Sequence, residues 1–287
     1  MTSSLIPHPS SLNWILITGC STGIGRALVP ELRQRGYAVV ATARTVATLS
    51  DLPQGDDLRT LPLDVTDAAS IAAALEACRD LRLIGLVNNA GYGQVGPLEL
   101  MQPEELRAQF ETNVIGLHAM TAAFLPLIRA NATKGEGRIV QLASVLGRVS
   151  IPLAGVYNAS KHAVIALGET LRLEIGKDIP VILVEPGAIH TEFRRTVIDA
   201  WGDLPQRAKG TRYERLIVKY QEAKDRLGEK WAMDPQVCAA KIARAIAKQR
   251  PPRRVIVGRD AYWSMKGKAL LPAAIWEWLL RRAYRLR

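Results

Sequence analysis

The stretch Trp14-Ile15-Leu16-Ile17-Thr18-Gly19-Cys20-Ser21-Thr22-Gly23-Ile24-Gly25 decides how the rest of the chain is read. Its first four residues form an unbroken apolar run, the pattern of a strand buried on both faces. From Arg26 to Arg35 the pattern turns helical. Strand, glycine loop and helix in that order suit a nucleotide. Glycine lets the backbone turn sharply and come close to a pyrophosphate, and the unpaired N–H groups and positive dipole end of a helix receive its charge. Gly19, Gly23 and Gly25, with Ser21, Thr22 and Ile24 among them, are therefore candidate ligand contacts. The spacing Gly-x-x-x-Gly-x-Gly differs from the commoner Gly-x-Gly-x-x-Gly, and a glycine-rich turn without a ligand is the competing reading.

Outward from this loop, apolar runs predict strands near 14–18, 37–42, 59–63, 83–87, 138–142, 180–184 and 254–257, with helical patterns between them. The alternation predicts an α/β domain, a doubly wound parallel sheet of about seven strands covered by helices on both faces. At 287 residues and 48% hydrophobic content the chain can bury one large core. We expect a single domain over 12–258 with a substrate loop near 189–230. Residues 1–11, with two prolines and several serines, read as a flexible arm, and 259–287 as a basic, aromatic extension. Ligands of such sheets bind beyond the carboxyl ends of the strands, where the glycine loop, Asn88, Ser144 and Pro186 all lie.

Cys20, Cys78 and Cys238 are scattered and odd in number, which suits a reducing compartment and no disulfide framework. His8, His118, His162 and His190 show no metal-ligand spacing, so no metal is expected. Cys20 reads as a small filler in preference to a thiol sensor, His118 as structural, and His190 as bordering the substrate. The start of the chain lacks the basic segment and long apolar run of a signal peptide, which predicts a cytoplasmic protein.

Tyr157 and Lys161 stand four residues apart in Tyr157-Asn158-Ala159-Ser160-Lys161, a spacing that stacks both on one helix face. A cation beside a phenol stabilises the phenolate and lowers its pKa, so the pair can move a proton to or from an alcohol or ketone oxygen. Alone, such a pair is also ordinary on a solvated helix.

Taken together, the glycine loop, Asn88-Asn89-Ala90-Gly91 after the strand Leu83 to Val87, Asn113, Ser144, Tyr157, Lys161 and Pro186-Gly187 with Thr191 resemble the short-chain dehydrogenase/reductase family. The likeness covers about 12–195 and loosens beyond. It implies a Rossmann-type fold and a nicotinamide cofactor contacted by Gly19, Ser21, Thr22, Gly23, Ile24, Gly25, Asn89, Ala90, Gly91, Tyr157, Lys161, Pro186, Gly187 and Thr191. It also implies the catalytic set Asn113, Ser144, Tyr157 and Lys161. In that set Tyr157 is the general acid or base, Ser144 bonds the substrate oxygen, Lys161 holds the ribose hydroxyls, and Asn113 anchors a water that links the lysine to solvent. Asp64 and Val65 resemble the family's adenine contact; Asp64 could instead cap the helix beginning at Asp67.

Cofactor choice is read at the end of the second strand, Ala41-Thr42-Ala43-Arg44. An acid there would accept from a free ribose 2′-hydroxyl, whereas arginine pairs with a 2′-phosphate. Arg44 predicts NADP(H) over NAD(H), although arginine can also stack on adenine. The run Asn88 to Pro97 resembles the 17β-hydroxysteroid and retinol dehydrogenase branch, implying a lipophilic alcohol, ketone or aldehyde. Leu146, Val149, Leu153 and the stretch Ile189 to Trp201 are pocket candidates, with ordinary core as the alternative. A nucleotide-binding redox sensor of the same fold is the competing function. The family also implies a homo-oligomer.

From Lys241 to Arg287 there are 13 Lys and Arg against 2 Asp and Glu, a surplus of 11 that equals the formal net charge of the chain. Interleaved tryptophans, tyrosine and leucines give the mixture of a segment lying in a membrane interface. Packing on the domain or on a partner subunit is the alternative. Nucleic-acid binding has charge in its favour but no recognised module, and is not expected.

Overall fold

A computed structural model of the chain describes residues 12–190, 192–222 and 232–284. The arm expected over 1–11 lies outside the described residues, as do Thr191 and part of the expected substrate loop. Seven parallel strands, β1 (Trp14–Ile17), β2 (Ala38–Ala43), β3 (Leu58–Pro62), β4 (Leu83–Asn88), β5 (Arg138–Leu142), β6 (Val181–Pro186) and β7 (Arg254–Val257), form one sheet in the order β3-β2-β1-β4-β5-β6-β7. Every expected strand is found within two residues of its predicted limits. The first crossover, α1 (Gly23–Arg33), starts three residues earlier than its apolar period suggested, because the glycine loop itself supplies the opening turn.

Burial on both faces explains the unbroken apolar runs. In β1 the odd residues Ile15 and Ile17 meet Leu28 and Leu32 of α1 and Ile242 and Ile246 of a later helix (Pro235–Ala247). The even residues Trp14 and Leu16 join Met120, Phe124 and Ile128 on the opposite face. Those three belong to a long helical stretch that begins at Pro103, passes through a π turn at Glu111–Gly116 and continues as Leu117–Asn131. By length and composition this stretch alone, among the described residues, would be apolar enough to cross a membrane, but its apolar side packs on the sheet. Removing a side chain such as Phe124, which is wholly buried, costs about 3–5 kcal/mol.

The order of strands reverses direction between β1 and β4, and both strands end at the same edge. The turns after them therefore face each other across a crevice. The region expected to be a loop near 189–230 is helical where described, with short helices at Phe193–Asp199, Leu204–Ala208 and Glu214–Glu222. Trp201, Leu204, Ala208 and Ile217 give these helices a small core of their own.

Candidate active site

The turns after β1 and β4 are interlocked. The Thr18 hydroxyl accepts from the N–H groups of Asn89 (3.0 Å) and Ala90 (2.9 Å), while the Asn89 amide donates to Thr18 O (2.9 Å) and Gly19 O (2.8 Å). Gly19 sits at φ +72°, and a Cβ there would press to 3.0 Å from Ala90 Cα. At Gly25 a Cβ would run into Gly19 O and the Asn89 amide, so α1 can approach the loop this closely only with glycine. Behind β4, Asn88 donates to Thr121 (2.8 Å) and Gln141 (3.0 Å), tying the same turn to its neighbours.

Above this latch lies a cleft of about 520 Å3. It gathers Gly19, Ser21, Thr22, Gly23 and Ile24 from the glycine loop, Arg44 after β2, Asp64 and Val65 after β3, Asn89, Ala90 and Gly91 after β4, Tyr157 and Lys161, and Pro186 at the end of β6. Gly25 lies behind the loop as a packing contact. Gly187, Ser144 and Asn113 are not among the lining residues; Ser144 adjoins the cleft through its bond to Tyr157 and Asn113 through Gly91. The walls fit a dinucleotide. Thr22 precedes α1 without capping it, and no acid occupies the first turn, so the N–H groups at the helix start remain open to a pyrophosphate. Thr42 is spent on a bond to Ile17 O (3.0 Å), leaving Arg44 as the exposed residue that lines the cleft after β2. Asp67, not Asp64, caps the helix at Ala68–Glu76. Asp64 instead accepts from the N–H (2.9 Å) and hydroxyl (2.7 Å) of Thr66, and these bonds, with a lesser contribution from the Arg44 charge, hold its carboxyl below the usual range.

Tyr157 and Lys161 lie on the helix Gly155–Ile175, one turn apart. The Lys161 ammonium donates to Leu142 O (2.7 Å) and lies 5.7 Å from the centre of the Tyr157 ring. Ser144 starts a short 3-10 turn by accepting from Leu146 N (3.1 Å), and its hydroxyl is hydrogen-bonded to the Tyr157 phenol. Burial drives the pair in opposite directions: Tyr157 is pushed up to about 12, with the Ser144 bond drawing it only partly back, and Lys161 is pushed down to about 8. Burial, which penalises the phenolate, is the main influence on the phenol in this arrangement, and the Ser144 bond the one that lowers it. At neutral pH the proton sits on the phenol and the lysine is still mostly charged. Asn113, in the π turn, spends its amide on the backbone of Tyr92 (2.9 and 3.1 Å) and on Ser160 (3.2 Å), and thereby shapes the β4 turn beside the lysine.

The geometry coincides with family comparison. Residues 13–200 match the family model described as short chain dehydrogenase. The chain belongs to the short-chain dehydrogenase/reductase family. As a family member it is an oxidoreductase acting on CH–OH groups with a nicotinamide dinucleotide as acceptor. It is 32% identical over 270 residues to the uncharacterized oxidoreductase YbbO of Escherichia coli (strain K12), covering 93% of each protein. It is 31% identical to retinol dehydrogenase 16 of Homo sapiens, over 86% of this chain and 81% of that protein, and 32% identical to 3-ketodihydrosphingosine reductase of Bacteroides thetaiotaomicron, over 95% and 98%. Among solved structures, a short chain dehydrogenase from Burkholderia cenocepacia in complex with NADP matches with a TM-score of 0.72 at 27% identity, over 94% of this chain and 98% of that one. A Burkholderia phymatum family member in complex with NAD matches with 0.73 at 26%, over 90% and 93%.

Several pocket candidates prove to be core. Val149 and Leu146 pack with Ala261 and Trp276 from the C-terminal helices, and Leu153 packs with Val95 and Val197. His190 is exposed and outside the cleft lining. Among the described residues of the candidate stretch Ile189 to Trp201, Thr196, Asp199 and Ala200 reach the cleft. Sequence reasoning named the stretch but not these three individually, and it did not single out Tyr92 or Thr112, which also line the cleft. Only the count of helical turns after Pro186 could have pointed to Thr196 and Asp199, and that count needs the helix at Phe193–Asp199 to be known. The thiol of Cys20 is buried among apolar residues and pushed up to about 12, the behaviour of a filler.

Proposed function

We propose that the protein is an NADP(H)-dependent reductase of a lipophilic ketone or aldehyde, with Tyr157 as the proton donor. The observation that carries this reading is the convergence in one cleft of the glycine loop with a phenol bonded to Ser144 and lying beside Lys161. The cofactor supplies the hydride. The glycine loop and the start of α1 receive its pyrophosphate, Asp64 and Val65 border its adenine, Lys161 holds its ribose hydroxyls, and Pro186 flanks the nicotinamide end. Arg44 pairs with the 2′-phosphate; no acid at the end of β2 opposes it. Ser144 and Tyr157 share the substrate oxygen, Tyr157 releasing its proton as carbon is reduced. Asn113 positions the β4 turn that backs the lysine.

The lipophilic substrate is supported by the names of the similar retinol dehydrogenase and 3-ketodihydrosphingosine reductase. We place the protein in the cytoplasm as a homo-oligomer, with peripheral membrane contact through its basic, aromatic C-terminal helices. The test is oxidation of NADPH and NADH by the purified protein with steroid, retinoid, long-chain and aromatic carbonyls, with Tyr157→Phe as control. Turnover that prefers NADPH and vanishes in the variant supports the reading. Tight NADPH binding without turnover on any carbonyl points to a redox sensor, and strict NADH preference overturns the role of Arg44.

A further inference from the structure

Two C-terminal helices, α2 (Arg259–Leu270) and α3 (Ala273–Ala283), carry five Lys and Arg against two Asp and Glu of the basic segment and have two different sides. The inward side is tied to the domain. Ala261 is fully buried and joins Met265 and Trp276 against Val145 and Val149. Asp260, in the first turn of α2, accepts from Ala188 N (2.7 Å), two residues beyond the cleft residue Pro186. It lies so close to Gly187 that any side chain there would collide with its carboxylate. Lys268 donates to Arg148 O (2.7 Å), four residues beyond Ser144. The two ties therefore end on the two segments that carry Ser144 and Pro186.

The outward side is built differently. Trp263 is 63% exposed, Leu270 79% and Trp278 57%, and Tyr262, Ile275 and Leu279 are exposed as well. Ile275, Trp278, Leu279 and Arg282 recur at i, i+3, i+4 and i+7 of α3, giving it one apolar, cation-edged face, while α2 adds exposed Tyr262, Trp263 and Leu270 around Lys266. Lys266 lies 4.7 Å over the Tyr262 ring and Arg282 5.8 Å over the Trp278 ring, so cation and aromatic project together. Aromatic rings at headgroup depth beside cations suit a surface of anionic lipid, where rings enter the interface and cations meet phosphates.

We propose that these faces seat the protein on an anionic lipid surface, and that Asp260 and Lys268 carry the seating to the cleft; the proposal rests on the membrane contact proposed above and deepens it into regulation of the same site. A surface that binds the outward faces holds α2 against detachment in the placement the structure shows, with Asp260 on Ala188 and Lys268 on Arg148. Seating and cofactor binding then assist each other, and by linkage the factor is the same in both directions.

The test uses the full chain, vesicles of phosphatidylcholine with or without phosphatidylglycerol, and NADPH binding followed by nicotinamide fluorescence. Co-sedimentation is expected only with phosphatidylglycerol and is weakened by salt. The NADPH dissociation constant falls about fivefold or more on those vesicles, and NADPH tightens vesicle binding by the same factor. Trp263→Ala combined with Trp278→Ala abolishes seating and leaves NADPH affinity in solution unchanged. Asp260→Ala still seats but binds NADPH equally on and off vesicles, whereas Asp260→Asn, which keeps the acceptor oxygen, retains the linkage. Absence of seating, seating indifferent to lipid charge, seating without change in NADPH affinity, or Asp260→Ala behaving as wild type each overturns the proposal. A dimer that the tryptophan substitutions dissociate, with no lipid binding, gives the face to a second copy and overturns it too. Failure to bind NADPH in solution would instead defeat the nicotinamide reading, which the vesicle arm does not use.

Discussion

The cleft has two walls built on opposite plans. On the β1 and β4 side the backbone itself is the wall: Thr18 and Asn89 exchange four hydrogen bonds with the facing turn, and Gly19 and Gly25 bring main chains to the limit of contact. On the β6 side the segment after Pro186 is held by side chains from distant segments: Asp260 accepts from Ala188 N, and the helices that follow rest on a small core around Trp201 and Leu204. A wall made of backbone tolerates little change and serves a cofactor of one shape. A wall made of packed side chains can be altered residue by residue, which is what a variable substrate requires.

The sharpest way to test this contrast begins at the floor both walls share. Tyr157→Phe should lower kcat by about 10^2–10^4-fold while the NADPH dissociation constant, measured by fluorescence, stays within about twofold. Gly25→Ala attacks the backbone wall; overpacking of this kind costs about 1–3 kcal/mol. Titration should show NADPH affinity reduced by an order of magnitude or more, with a lower melting temperature. If Gly25→Ala binds NADPH normally, the wall is not as rigid as its contacts imply. Arg44→Ala should weaken NADPH by about tenfold, the worth of a charge-assisted bond, and leave NADH nearly unaffected; equal losses would sink its pairing with the 2′-phosphate.

A pH series separates the two members of the shared floor. Lys161, held down to about 8, loses its proton above that pH while Tyr157 keeps its own to about 12, so reduction should decline above about pH 8. The contribution of Lys161 to folding moves the other way, because between about pH 8 and 9 the unfolded chain still binds the lysine proton that the folded chain releases. The buried thiols of Cys20, Cys78 and Cys238, pushed up to about 12, oppose it, since the unfolded chain ionises them first, so Cys→Ala at these three positions should uncover the gain. Kinetics and chemical denaturation on the same samples check both signs. The smallest effect is expected at the side-chain wall. Leu204→Ala should raise the KM for the carbonyl severalfold and leave NADPH affinity alone, although removing so buried a leucine costs about 2–5 kcal/mol of local packing. Equal damage to both ligands would erase the distinction between the walls.

Most of the cofactor side was legible before any coordinates, because its signals are local. An apolar run, a glycine loop and a helix specify their own order, and residues that follow strands of a parallel sheet must gather at one edge, which brought Ser21, Asn89, Tyr157 and Pro186 together. The i, i+4 spacing placed Tyr157 and Lys161 on one face. The same reasoning left Leu146, Val149 and Leu153 open between pocket and core, since an apolar residue near a site looks alike whether it faces a ligand or a neighbouring helix; the structure packs them as core. Spacing shows the proximity of Lys161 to the phenol and not the burial that pushes the phenol up.

The sequence by itself thus determined the sheet, the glycine turn and the placing of Tyr157 and Lys161 on one helix face, all consequences of short-range periodicity and backbone geometry. Tertiary structure alone decided the rest. That Thr196 and Asp199 reach the cleft, that Asp260 grips a turn 72 residues earlier, and that burial leaves the proton on Tyr157 all depend on which distant segments meet and how much water they exclude. No pattern within a single segment encodes either quantity.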